Sequence, residues 1–216
     1  MRGRRSIFSG SNSNLIIPQQ TKFGLGYQFG SAAGGSNAYA QALDPILLAP
    51  PAGVSIAVGA YNQGTISNVT MFFGAWNDVP FQNSVNLVVQ NNGGIPRFVA
   101  NCTRSNSNIS LTANGGAGIT MAVAGQYMTL SSSYNGATLL ADYTTTGLGH
   151  NTGSTSVSGA LLNLGLASIS EPNNNTLNTG RTVTFMAGWF RPLAAGELQT
   201  VTSYIGGLPP NFLRSP

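Results

Sequence analysis

Charge is the scarcest property of this 216-residue chain. Only 6% of its residues are Asp, Glu, Lys or Arg, against about 25% in an ordinary soluble domain. There is one lysine, Lys22, one histidine, His150, and one cysteine, Cys102. A lone cysteine excludes an intrachain disulfide and any cysteine-rich metal site, so Cys102 reads as a small buried hydrophobe on a strand. Long apolar runs are also missing. No segment approaches the roughly 18 apolar residues of a spanning helix, which argues against membrane insertion. The short stretch after MRGRR is SIFSGSNSN, too polar for the apolar core of a secretory signal. The five acids, Asp44, Asp78, Asp142, Glu171 and Glu197, are dispersed, no two within twenty residues. Calcium sites usually draw on several carboxylates, so neither a metal nor any other cofactor is expected.

The net charge of +4 is local. Arg2, Arg4 and Arg5 supply most of it, and the other basic residues are scattered, without the basic face or motif of a nucleic-acid binder. Ser9-Gly10-Ser11-Asn12-Ser13-Asn14 has the composition of a flexible linker, and Leu15-Ile16-Ile17 follows. Residues 1–20 therefore read as a basic arm that docks elsewhere, through Arg2, Arg4, Arg5, Leu15, Ile16 and Ile17. Residues 21–207 form the domain proper, and 208–216 a tail.

What fills the domain is short apolar alternation broken by Gly, Asn and Pro. Val54, Ile56, Val58 and Ala60 share one face of a strand. Further strands are expected over 25–29, 38–41, 69–76, 85–90, 97–102, 109–112, 119–127, 128–134, 137–143 and 161–169. Asn91-Asn92-Gly93-Gly94 and Asn135-Gly136 are hairpin turns, because Asn and Gly tolerate positive φ. No fixed-period repeat is present. Gly147-Leu148-Gly149-His150-Asn151 reads as a loop carrying an exposed histidine. The stretch from Arg181 closes the pattern. Val183, Phe185, Ala187 and Trp189 alternate on one face, Arg191-Pro192 ends the strand, and Leu198, Val201 and Ile205 make the stripe of a short helix stopped at Gly206-Gly207.

The order of these motifs resembles the laminin-G-like, or concanavalin A-like, domains over about Phe23 to Gly206. Gly26-Tyr27-Gln28-Phe29 with Tyr39 resembles the family's opening. Ala122-Val123-Ala124-Gly125, Tyr134, Gly136, Leu139-Leu140, Asp142-Tyr143 and Gly147 resemble its later segment. Arg191, Leu193, Glu197 and Leu198 stand at the positions of its closing motif, where Phe190 replaces the usual Asn. The tryptophan usual before the Ala122-Val123 element is absent. The resemblance implies an all-β, antiparallel two-sheet jelly-roll sandwich with one short C-terminal helix.

Glycoside hydrolases of this fold carry their carboxylates as an E-x-D-x-E run on one strand. That run is missing here, and a non-enzyme is expected. The lone His150 and the lack of a G-x-S-x-G elbow argue equally against a serine nucleophile. Low charge, the missing signal and the basic arm together point to a structural or decorating protein of a phage particle, on head or tail, assembled in the host cytoplasm. Its expected partners are other virion proteins and further copies of itself. The competing reading is a module that binds a cell-surface glycan, with Trp76, Asn77, Asp78 and Tyr61 as contacts. Stacking needs an aromatic, and these two have amides or a carboxylate beside them. Limited trypsin digestion is expected to trim the arm and leave the rest, since Lys22 is the one cleavage site between Arg5 and Arg97. Rapid cutting at Arg97 and Arg104, or a helix-dominated far-ultraviolet spectrum, would contradict the sandwich.

Overall fold

In the computed structural model, the residues described are 16–21, 24–29, 40–46, 53–62, 70–76, 83–92, 95–104, 107–112, 127–145, 149–156, 164–169 and 181–207. They form mostly antiparallel sheet with one helix, the organisation of a β-sandwich. The strands are β1 (Ile16–Thr21), β2 (Gly24–Phe29), β3 (Ala40–Ile46), β4 (Val54–Asn62), β5 (Thr70–Trp76), β6 (Asn83–Asn92) and β7 (Ile95–Arg104). They continue with β8 (Ser107–Thr112), β9 (Tyr127–Tyr134), β10 (Thr138–Thr145), β11 (Gly149–Ser156), β12 (Leu164–Ile169) and β13 (Arg181–Trp189). The helix, α1, spans Ala195–Gly207.

Seven strands pair in the order β1-β2-β13-β4-β9-β10-β11, and six in the order β3-β12-β5-β6-β7-β8. Two of the terminal strands contain proline, Pro18 in β1 and Pro45 in β3. Proline lacks the N–H of a ladder residue and is tolerated at a sheet edge. The arm expected over residues 1–20 overlaps β1, since Ile16 and Ile17 pair with Phe29 and Gln28 of β2. Arg2, Arg4, Arg5 and Leu15 lie outside the described residues.

Both faces of the central strands are buried, for different reasons. Val54, Ile56, Val58 and Ala60 of β4 pair with Tyr134, Ser132, Leu130 and Met128 of β9. This face packs toward the second sheet, whose Val85, Leu87, Ala100 and Cys102 are also buried. Cys102 thus sits in a strand core, as its sequence context implied. The opposite face carries small or hydroxylated residues, Ser55, Ala57 and Gly59 on β4 and Thr129, Ser131 and Ser133 on β9. Helix α1 lies on it. Small side chains there let the helix backbone come close.

Strand β13 departs from simple alternation. Its pairing with β4 slips between Val183 and Phe185, so Val183 faces Ala60 while Phe185 faces Gly59. A bulge of one residue reverses which face every later side chain occupies. Val183 therefore does not share a face with Phe185, Ala187 and Trp189, contrary to the period-two reading. Phe185 and Trp189 pack beside Ala57, Tyr127 and Ile205 on the helix side. Residue Thr184, at the slip, donates to the Gly59 carbonyl (3.3 Å) and accepts from the Tyr127 hydroxyl (2.7 Å).

The Asn135-Gly136 turn forms as expected. Gly136 has φ of 93°, and the Asn135 side-chain oxygen accepts from the Ala137 and Thr138 amides at 3.0 and 2.8 Å. Elsewhere the boundaries moved. Tyr127 and Met128, assigned to separate strands by the sequence pattern, are consecutive in β9.

After β13 the chain turns through a hydroxyl clamp. The Leu193 N–H donates to the hydroxyl oxygens of both Ser55 (2.8 Å) and Ser133 (2.9 Å), and Ser55 donates to the Arg191 carbonyl (2.9 Å). Pro192 rests over Gly53, where any Cβ would collide with the proline ring and the Tyr134 carbonyl. Leu193, Leu198 and Ile205 are then buried. Because either serine alone can accept from Leu193, Ser55→Ala and Ser133→Ala should each cost about 1 kcal/mol, and the double variant more than their sum. Only the double variant leaves a buried amide unsatisfied. Urea denaturation of the four proteins measures this, and additive losses would show that the clamp is not shared.

Candidate functional site

The helix start is fixed from both sides. Glu197, in its first turn, reaches back to the Ala194 N–H (2.8 Å), which is half of a capping box. The same carboxylate takes a two-pronged contact from Arg191, at 2.7 and 3.1 Å. Arg191, Leu193, Glu197 and Leu198 thus act together, and the exposed Phe190 stands just before them. Hydrogen bonds from Arg191 and Ala194 lower the Glu197 pKa to about 2.

Along the helix the buried stripe is Leu198, Thr202 and Ile205, and Val201 packs at its edge. Apolar periodicity could not pick out Thr202. Its hydroxyl donates to the Leu198 carbonyl (3.0 Å) and accepts from Ser131 (2.7 Å), while Thr129 donates to its carbonyl (3.2 Å). Hydroxyls therefore dock the helix on the sheet alongside the two leucine-type anchors. Nearby, burial raises the Tyr127 pKa, which its bond to Thr184 partly offsets, and pushes that of Tyr143 up to about 12. Both phenols stay neutral.

Beyond the helix the sheet ends at β11, and here lies an ionisable pair that sequence reading missed. His150 is not in a loop; it is the second residue of β11, two pairs along from Asp142 in the β10–β11 register. Its Nε2–H donates to Asp142 Oδ2 at 2.7 Å. The Asp142 side chain is 3% exposed, and its Oδ1 has no hydrogen-bond partner. The run GHNTGSTS shows no apolar period, so its strand left no periodic signal in the sequence.

Between β10, β11 and the start of α1 is an open cleft of about 540 Å³. Asp142, Thr152 and Ser154 line it from the strands, and Gly196, Leu198 and Gln199 from the helix. The residues singled out from sequence lie elsewhere. Tyr61 is in β4, half-buried beside Ala57, Tyr127 and Ile205. Trp76 is the last residue of β5, opposite Ser84 in the other sheet. Asn77 and Asp78 fall outside the described residues. Among the described residues no three His, Cys, Asp or Glu side chains group as metal ligands, and no helix is long and apolar enough to cross a membrane.

No protein-family model matches the chain, and no curated sequence is significantly similar to it. Solved structures do share its fold. Tailspike protein 2 of an Escherichia coli O157:H7 bacteriophage superposes with a TM-score of 0.57 at 10% identity, over 94% of this chain and 26% of the tailspike. The present chain thus spans about a quarter of that protein. The heptameric SAP-like pentraxin of Limulus polyphemus gives 0.57 at 13% identity, covering 84% of this chain and 83% of the pentraxin. The receptor binding domain of botulinum neurotoxin type G gives 0.59 at 9% identity, over 92% and 46%.

The Arg191–Glu197 pair has a defined acid limit. Its carboxyl titrates near 2 when folded and near its ordinary 4.5 when unfolded, so the pair's stabilisation is complete above pH 4.5 and lost as pH falls through about 2. Both side chains are exposed, so the effect is small and screened by salt. Comparing the wild type with Glu197→Gln by denaturation at several pH values should show a gap that is constant near neutrality and closes in acid. A gap that persists unchanged in strong acid would show that the carboxylate charge is irrelevant.

Proposed function

We propose that this chain is a non-enzymatic surface protein of a phage particle, whose concanavalin A-like jelly roll recognises a receptor on the host cell. The observation that carries this reading is the fold, shared with a phage tailspike and with a toxin domain named for receptor binding. The low charge and the basic arm fit a particle component. The arm docks on other virion proteins, and several copies of the chain assemble together.

The competing class is a hydrolase, because one similar structure is described as an enzymatically active domain of a phage tailspike. Glycoside hydrolysis needs two carboxylates facing one bond, about 5–5.5 Å apart in retaining enzymes. Of the two carboxylates whose side chains are described, Asp142 is bonded to His150, and Glu197 to Arg191 and the helix start. Carboxylates held in such structural contacts are poorly placed to exchange protons with a substrate, which favours binding without turnover.

Purified protein should compete with phage particles for adsorption to host cells and release no reducing sugar from their polysaccharides. Failure to compete overturns the recognition reading, and sugar release overturns the non-enzyme reading. Attachment is tested by comparing particle incorporation of the full chain with a version beginning at Leu15, which keeps β1 intact. Reduced incorporation is expected; equal incorporation would assign the attachment to the sandwich.

A further inference from the structure

The turn between β9 and β10 folds an asparagine side chain over the peptide that follows it. Asn135 is exposed, and its Oδ1 accepts from the N–H groups of Ala137 (3.0 Å) and Thr138 (2.8 Å). Both donors lie beyond Gly136 in the chain, so reaching them carries the side chain across the Gly136 peptide, as in an Asx turn. The Asn135 N–H donates to the Thr138 carbonyl (3.2 Å) and closes the hairpin. Gly136, at φ of 93°, has no Cβ, and one built there would meet nothing within 4 Å. The β9–β10 ladder begins at the Tyr134–Leu139 pair, so Asn135 keeps some of the backbone freedom that strand residues lose.

These groups have the roles of an acyl-transfer site. The electrophile is Asn135 Cγ, and the nucleophile is the Gly136 backbone nitrogen, whose attack closes a five-membered ring. With no side chain on Gly136, that nitrogen is unshielded. As the new bond forms, negative charge develops on Oδ1. The Ala137 and Thr138 amides already point at this oxygen, at distances where oxyanion donors act. In an unfolded Asn-Gly segment, water must reorganise to do the same; here the donors are fixed in advance.

We propose that Asn135 is a site of self-catalysed deamidation, with two amides of its own turn serving as the oxyanion hole. Solvent hydroxide takes the Gly136 proton, and the nitrogen bonds to Asn135 Cγ. The bond from Cγ to Nδ2 breaks, and Nδ2 takes a proton from water and leaves as ammonia, which restores the hydroxide. One water then opens the cyclic imide. Cleavage between the nitrogen and Cγ leaves aspartate, and cleavage at the main-chain carbonyl leaves isoaspartate, whose backbone runs through Cβ. Each product adds one negative charge to a chain of net charge +4. Aspartate keeps both amide contacts and makes them charge-assisted. Isoaspartate lengthens the turn by one backbone atom while Tyr134 and Leu139 remain in register, so it loosens the hairpin. The inference goes beyond the recognition reading and does not depend on it.

Asn92 and Asn114 also precede glycine, so the chain carries its own reference for what an Asn-Gly pair does without a folded turn. The test keeps intact protein in mildly alkaline buffer, with a parallel sample in guanidinium chloride. Peptide mass spectrometry reads the conversion of each amide to an acid over time. The mean rate of the three pairs in denaturant sets the baseline. A donor in an enclosed oxyanion hole is worth about 10²–10³ in rate, and solvent at an exposed turn reduces this, so folded Asn135 should convert about tenfold faster than the baseline. The product should include isoaspartate. A folded Asn135 that converts no faster than the baseline would overturn the inference, because the turn would then protect the amide it holds.

Discussion

A single amide, the N–H of Leu193, sits between two serine hydroxyls contributed by β4 and β9. Most of the local architecture depends on that contact. It joins the end of β13 to two strands of the same sheet, sets the angle at which the chain leaves it, and so fixes where α1 lands. A corner held only by apolar burial would tolerate sliding, since hydrophobic attraction has no preferred direction. Hydrogen bonds to a buried amide do not tolerate it, because a displaced Leu193 would lose both acceptors in a region without water to replace them. The Arg191–Glu197 pair works on the outside of the same corner. Its energy is modest, but it keeps the first turn of the helix in register with the clamp.

The consequence is a sheet face covered by a helix through small and hydroxylated residues. Gly59, Ala57 and Ser55 leave room, and Thr129, Ser131 and Thr202 join sheet to helix by hydrogen bonds that specify one seating. Such an arrangement buries less apolar surface than a leucine-lined interface. It gains direction in exchange, and it leaves polar groups at its border. Where the helix stops covering the sheet, beyond β10, those border groups become the walls of the cleft, with the Asp142–His150 pair near the sheet's edge.

Low overall charge gives this border its chemical character. With few carboxylates and ammonium groups in the sequence, most of its polar side chains are amides and hydroxyls. Electrostatic steering contributes little to its encounters.

The sequence alone determined the class of structure. Alternating apolar residues, Asn-Gly turns and the closing run from Arg181 to Gly207 are local signals, and local chemistry dictates strands, turns and a short stopped helix. It also determined that Cys102 is a core residue. Tertiary structure decided the rest, for identifiable reasons. The bulge at Val183–Phe185 arises from pairing with β4, so no pattern within β13 reveals that its later side chains change face. Thr202 is polar and breaks no helical pattern, and only the facing Ser131 and Thr129 explain its burial. Residues 149–156 are polar throughout and pair as a strand because β10 supplies an edge. His150 and Asp142 come together across that pairing, eight residues apart in the chain. Trp76 and Tyr61 look alike in sequence, an aromatic before an asparagine, yet they belong to different sheets. Secondary structure follows from neighbours along the chain; a site is made by neighbours across it.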